Sequence, residues 1–348
     1  MKSLSSFIFV CVANLFISFS AQSAGEEQAK LSLERLSHAL RHLNFNTSFV
    51  VVKNNQADPY HWLHGVVEPV EQTEPAEQTP QKLDSHEAVN STRVELEILA
   101  LLNGPRRDIL RINNTVSYLE PEYTPYSIRS KQISGPIPAV LSQDIRLLEN
   151  NYHFVSVGKN RVLGRAAQLI RIVPKDVHRF GYWLWLDQDS GLLLKLAVIT
   201  SKGKLLEQIQ FTQLEVTQTP SENLKQLQLT KLPEIIDFSI KENHSELAWQ
   251  VNWLPNGFTS IKSDRHRINN SKQAVEFMLF NDGLVDISVY VNPSADKQRP
   301  IEFANDGATL VLNQVINNIE VSVVGKIPLE TAKKIVSSVS FTQKSLVP

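Results

Sequence analysis

The chain opens with Lys2 and a short apolar run, Phe7 to Phe19, and its single cysteine, Cys11, lies inside that run. A basic start, an apolar stretch and then Ser20-Ala21-Gln22-Ser23-Ala24 form the layout of an export signal, with cleavage expected after Ser23. Spanning a bilayer takes roughly 20 apolar residues, so the run is too short to anchor the chain. Cys11 sits too early to be a lipid attachment point. Everything from residue 24 on is therefore expected to be exported, soluble and free of cysteine. Neither disulfides nor thiolate metal sites can hold such a fold, so burial of apolar side chains must do it. About 325 residues remain, which at ~150 residues per domain suggests two domains.

The organisation is read from periodicity. Leu33, Leu36, Leu40 and Leu43 recur at three and four, which predicts an amphipathic helix over Ala29 to Leu43. From Thr47 the pattern turns to short β-branched and aromatic runs bounded by Gly, Asn, Asp and Pro. Strands are expected at Ser48 to Lys53, Val94 to Leu102, Asp108 to Ile112, Thr115 to Leu119, Tyr152 to Val157, Ala167 to Val173, Phe180 to Asp187, Leu192 to Thr200 and Leu205 to Leu214. Glu68 to Ser91 is rich in Glu, Gln, Thr and Pro and reads as a mobile loop. A helical patch is expected at Ser142 to Glu149. The polar segment between Thr217 and Pro233 reads as an interdomain linker. Beyond it come strands at Ala248 to Trp253, Thr259 to Ile268, Ala274 to Asn281, Leu284 to Asn292, Ala308 to Asn313 and Gln314 to Val324. Asn281-Asp282-Gly283 is expected to turn a hairpin, because both central positions tolerate positive φ, and a helix entered at Pro328 is expected to close the chain.

Catalytic signatures are missing from this sequence. No Gly-x-Ser-x-Gly, phosphate-cradling or dinucleotide-binding glycine pattern occurs. His38 and His42 are four apart on the first helix, but both fall beside the leucine stripe and read as surface. His61 and His64 flank Trp62, and three positions along a strand separate them to opposite faces. Asp187 and Asp189, or Asp282 and Asp286, fit turn chemistry better than acid-base work. No metal or cofactor is expected. With 35 basic against 36 acidic residues, a formal net charge of −1, the chain offers no electrostatic case for nucleic acid.

Two groups stand out as candidate contacts. Phe180, Tyr182, Trp183 and Trp185 share one strand, in which Trp183 and Trp185 face one side and Tyr182, Leu184 and Leu186 the other. Either both faces are covered core, or one face walls an aromatic groove for an acyl chain or a peptide. Arg106, Arg107 and Arg111 cluster at the Gly104-Pro105 turn, and Arg161, Arg165, Arg171, Lys175 and Arg179 form a looser basic series. These read as a solvated face or as a site for phosphate or carboxylate groups.

Several strings taken together resemble the RseB/MucB family: Phe45-Asn46-Thr47-Ser48-Phe49-Val50, Leu99 to Arg111, Phe180-Gly181-Tyr182-Trp183-Leu184-Trp185-Leu186-Asp187, Ser190 to Lys195, Leu206 to Thr212, Trp253-Leu254-Pro255-Asn256-Gly257-Phe258 and Asn281-Asp282-Gly283-Leu284. The resemblance runs over essentially the whole chain after the leader. It implies an α+β protein: an N-terminal LolA/LolB-like unclosed antiparallel β-barrel with helices and an apolar hollow, plus a smaller C-terminal α+β domain. The expected boundaries are 1–23 signal peptide, 24–217 lipid-sensing domain, 218–233 linker and 234–345 partner-binding domain. It further implies a periplasmic regulator, without enzymatic activity, that binds the periplasmic part of the anti-sigma factor RseA and shields it from proteolysis. Lipopolysaccharide or mislocalised lipoprotein would release it, and a homo-oligomer is possible. The alternative reading is a LolA-like lipid or lipoprotein carrier. On this view Phe49, Trp183 and Trp185 line the hollow, and Arg106, Arg107 and Arg111 make the anionic contact.

Overall fold

A computed structural model describes residues 25–68, 93–236, 247–267, 274–294 and 298–341. The leader and residues 69–91 of the expected loop lie outside these residues. The first helix, α1, spans residues 25–42. It buries Ala29, Leu33, Leu36, Ala39 and Leu40 and leaves His38 and His42 exposed, as an amphipathic stripe dictates.

Eleven strands form one antiparallel sheet: β1 (Asn44–Lys53), β2 (Gln56–Val67), β3 (Val94–Leu101), β4 (Arg107–Ile112), β5 (Thr115–Leu119), β6 (Tyr126–Arg129), β7 (Tyr152–Val162), β8 (Arg165–Pro174), β9 (Gly181–Asp187), β10 (Leu193–Ile199) and β11 (Leu205–Thr217). The spatial order is β6-β5-β4-β3-β2-β1-β11-β10-β9-β8-β7. The chain thus starts at the middle of the sheet, runs out to one edge, crosses to the other and returns to pair β11 with β1. The edge strands β6 and β7 do not pair, so the barrel stays unclosed, as the resemblance implied. Between them the expected helical patch folds as two single 3-10 turns, Ala139–Ser142 and Ile145–Leu148.

β2 adds a strand to those expected from periodicity. Its signal in the sequence is Asn54-Asn55, whose φ values of 48° and 62° make the tight β1–β2 hairpin that asparagine tolerates.

The polar segment after β11 is more than a linker. Glu222–Gln228 forms a second helix, α2, whose Leu224 and Leu227 pack with Leu63 and Leu96 on the outer face of the sheet. Gly65 makes this possible, because a Cβ there would sit 2.8 Å from Leu224 Cδ1. Further along, Ser127 of β6 is bracketed by Glu234 O (2.9 Å) and Ile236 N (2.8 Å), which occupies that edge.

The second unit contains β12 (Trp249–Val251), β13 (Thr259–Arg267), β14 (Ala274–Asn281), β15 (Asp286–Pro293), β16 (Gln298–Asp306), β17 (Thr309–Ile316), β18 (Ile319–Gly325), α3 (Leu329–Ser338) and β19 (Val339–Phe341). Six strands pair in the order β13-β14-β15-β18-β17-β16, and β12 pairs with β19. Ala332, Ile335 and Val336 of α3 share a core with Val289, Leu312 and Val323. The expected break at Asn313 is misplaced: the turn is Asn317-Asn318, both at positive φ. The β14–β15 hairpin turns where expected. Only Gly283 has positive φ (99°), while the Asp282 carboxylate accepts the backbone amides of Leu284 (3.0 Å) and Val285 (2.8 Å).

Asp282 also ties the two units together. Its carboxylate takes Arg179 Nε at 2.6 Å and the Tyr152 hydroxyl at 2.8 Å, all three side chains being buried. Arg179 bonds Asp176 and the Asn256 carbonyl as well. Lys53–Asp306 (2.5 Å) and Lys326–Glu207 (2.8 Å) add further pairs along the seam.

Candidate functional site

Strand alternation decides which side chains look into the curl of the sheet. On β2, β3 and β4 the inward set includes Trp62, His64, Glu95, Glu97, Leu99 and Arg111, with Phe49 beside them on β1. Opposite them runs a strap, residues 130–139, stiffened by Pro136 and Pro138. Between sheet and strap lies a cavity of about 710 Å³, with Leu40 of α1 at its wall.

Part of the lining is apolar: Phe49, Trp62 and Leu99 from the sheet, Ile133 and Ile137 from the strap. Phe49 is held between aromatic neighbours, its ring 5.3 Å from those of both Tyr60 and Phe211. Beside it on the same sheet face the lining is ionic. Register sets His64 opposite Glu97 and Glu97 opposite Arg111. Arg111 Nε donates to Glu97 at 2.5 Å, and Nη1 donates to Glu95 at 2.7 Å and to the Asn113 carbonyl at 3.1 Å. Burial works against this guanidinium charge, and the two glutamates outweigh it, so its pKa lies above the usual value.

His64 is buried. Its Nδ1 donates to the Leu43 carbonyl at 2.6 Å and its ring stacks on Phe45, while Nε2 has no partner. Burial pushes its pKa below 6.5 against the pull of Glu97 and the Leu43 carbonyl, so the ring is neutral. An apolar patch beside an ion-paired patch in one cavity suits an amphiphile, whose chain and head ask for different surroundings. Among the described residues no group of His, Cys, Asp and Glu is disposed to hold a metal ion.

The strap has a second side. Gly135 and Pro136 line this cavity and also two spaces at the seam with the second unit, of about 600 Å³ and 330 Å³. Gly135 lies so close to the sheet that a Cβ would meet Leu99 Cδ2 at 2.9 Å. Side chains hold the strap: Gln132 Nε2 donates to the Ala139 carbonyl (3.2 Å) and the Ser142 hydroxyl (3.1 Å), and Gln143 donates to Gln132 Oε1 (2.8 Å).

Of the six candidates named from sequence, Phe49 reaches the cavity. Trp183 and Trp185 do not: they lie half-buried on the outer face of β9, while Tyr182, Leu184 and Leu186 turn inward. The alternation was right, but sequence alone does not tell inside from outside. The arginines separate too. Arg106 is exposed and pairs with Asp108 at 2.6 Å, Arg107 borders the 330 Å³ space, and Arg111 is buried with its charge already matched, so the three form no common anionic contact. Trp62, His64, Glu95, Glu97 and Leu99 were missed. The available signal was the alternation of Glu95, Glu97 and Leu99, which puts two acids on one face of an otherwise apolar strand.

Family models match along the chain. The MucB/RseB N-terminal domain matches residues 28–78 and 76–235, and the MucB/RseB C-terminal domain matches 243–340. A sigma-E factor regulatory protein RseB of Haemophilus influenzae is 30% identical over 322 residues, 92% of this chain and 94% of its own. Among solved structures, the complex of Pseudomonas aeruginosa MucA/MucB matches with a TM-score of 0.67 at 26% identity, covering 90% of this chain and 99% of that one. MucB in complex with MucA(peri) matches with a TM-score of 0.65 at 27% identity, again over 90% and 99%.

Proposed function

This chain belongs to the MucB/RseB family, and we propose that it is a periplasmic regulator that holds the periplasmic part of an anti-sigma factor of the RseA/MucA kind and is released by an acyl-bearing ligand. It is a binding regulator of the sigma-E system, not an enzyme. The observation that carries the partner is the match, over nearly the whole length of both chains, to MucB in complex with MucA. The observation that supports lipid sensing is the cavity under the strap, with its adjoining apolar and ionic patches. Acyl chains or lipopolysaccharide would lie against Phe49, Trp62 and Leu99, and the strap would carry their presence to the seam. A ligand shifts such an equilibrium only by its difference in affinity for the two states.

The experiment is retention of the anti-sigma periplasmic segment on the immobilised mature chain, with and without lipopolysaccharide. Retention that lipopolysaccharide lowers supports both halves of the reading. No retention removes the regulator reading, and retention untouched by the lipid removes the sensing half. A lipid carrier is the second reading, favoured by the same cavity. It leaves the second unit and its buried tie at Asp282 without a task, and a carrier would hold acyl ligand without retaining the segment.

A further inference from the structure

The tryptophan pair that fails to line the cavity builds another surface. On the outer face of the sheet, Arg171 of β8 lies over Trp183, its Cζ 5.2 Å from the ring centroid, and Lys195 of β10 lies over Trp185 at 4.7 Å. The two indoles are 6.2 Å apart. Pairing register explains the arrangement: Trp183 stands opposite Arg171 and Ala197, and Trp185 opposite Leu169 and Lys195. Val155 and Val157 of the edge strand β7 extend the face, at 39% and 51% exposure.

Among the described residues these two cations have no acid to answer them. Neither makes an ion pair among the described residues, and Arg171 Nε is buried without a hydrogen-bond partner. Burial alone lowers the pKa of Lys195, with no carboxylate raising it. Asp187, at the end of β9, is already taken by Arg165 at 2.9 Å and by Ser190. Cations laid on indole faces keep their donors free while the rings hold them in place, which is a prepared receptor for carboxylates.

We infer that the outer face of β8–β10 is a docking surface for an acidic, extended peptide segment, its alternate carboxylates meeting Arg171 and Lys195 and its apolar atoms lying on Trp183 and Trp185. Alternate side chains of an extended strand recur about every 6.6 Å, close to the spacing of the two indoles. An anionic bilayer fits less well. Surface attraction is worth about 1 kcal/mol per basic residue and lipid-binding clusters carry about 4–8 of them, whereas this face has two without an ion pair among the described residues, Arg165 being paired with Asp187, and the chain a formal net charge of −1. The inference is independent of the cavity reading.

The test uses the mature chain and a fluorescein-labelled octapeptide of alternating Glu and Val, with an alternating Gln and Val octapeptide as control, read by anisotropy. The Glu peptide should bind and the Gln peptide should bind at least about tenfold more weakly, with Arg171→Gln/Lys195→Gln reducing Glu-peptide affinity by a similar factor. Arg106→Gln, on a remote turn, should leave it unchanged. Lys195→Met, which keeps the stem over Trp185, should cost about threefold with an unchanged melting temperature, and serves if the double variant folds poorly. Equal binding of both peptides, equal binding by the variants, or no binding at all would overturn the inference. So would binding of phosphatidylglycerol vesicles that the variants abolish while no peptide binds, which would make the face a membrane contact.

Discussion

The two halves of the long sheet share one hydrogen-bonding pattern and carry opposite fillings. Across β7 to β10 the inward side chains are Phe154, Ile170, Ile172, Tyr182, Leu184 and Leu196, packed into one cluster with Leu33 and Leu36 of α1. Across β2 to β4 they include Trp62, His64, Glu97, Leu99 and Arg111, and what α1 brings to this half is its end, with Leu40 and Arg41 at the cavity wall. The hollow is therefore not a product of strand topology. It exists because the helix stops short and because charged residues, content with one another, take places where aliphatic side chains would have drawn the walls together.

That contrast can be broken by substitution. Leu184→Ala, in the filled half, should cost about 3 kcal/mol in urea unfolding, the usual loss when a well-packed leucine leaves a void. Glu97→Gln should cost about 2 kcal/mol, because Arg111 keeps Glu95 but loses its closest counter-charge in a buried setting. Leu99→Ala borders space that is already open on one side, so although Leu99 is buried its cost should fall to the low end, about 2 kcal/mol, and an acyl probe should bind with altered affinity. Equal costs for Leu184→Ala and Leu99→Ala would mean that the cavity is closed in solution. A pH series sharpens the point. His64 has a depressed pKa in the fold, so the unfolded chain binds the extra proton first, and stability present above pH 6.5 should decline as pH falls below it. Thermal melts of His64→Gln should lose that part of the acid sensitivity. Arg106→Gln, a surface ion pair, should change stability by less than about 0.5 kcal/mol.

Much of this contrast was legible in the chain. The leucine stripe of α1 and, apart from β6, the strand series from Val94 to Leu214 follow from local periodicity, which needs no knowledge of neighbours. What stayed hidden depends on pairing across long separations. Trp183 and Trp185 alternate correctly with Leu184, yet only the position of α1 makes one side the interior. His64, Glu97 and Arg111 lie far apart along the chain and become one row only when β2, β3 and β4 are in register. α2 escaped notice because two leucines, Leu224 and Leu227, are a thin signal in a polar segment, and Gly65, which admits them, lies on a distant strand.

Gly135 and Pro136 each touch three separate spaces, so those spaces share a boundary that cannot recede from one without advancing on another. Occupancy in any chamber then sets the room left in its neighbours. Two guests in different chambers become rivals for the same few ångströms of wall, without ever meeting and without any whole unit of the protein having to turn.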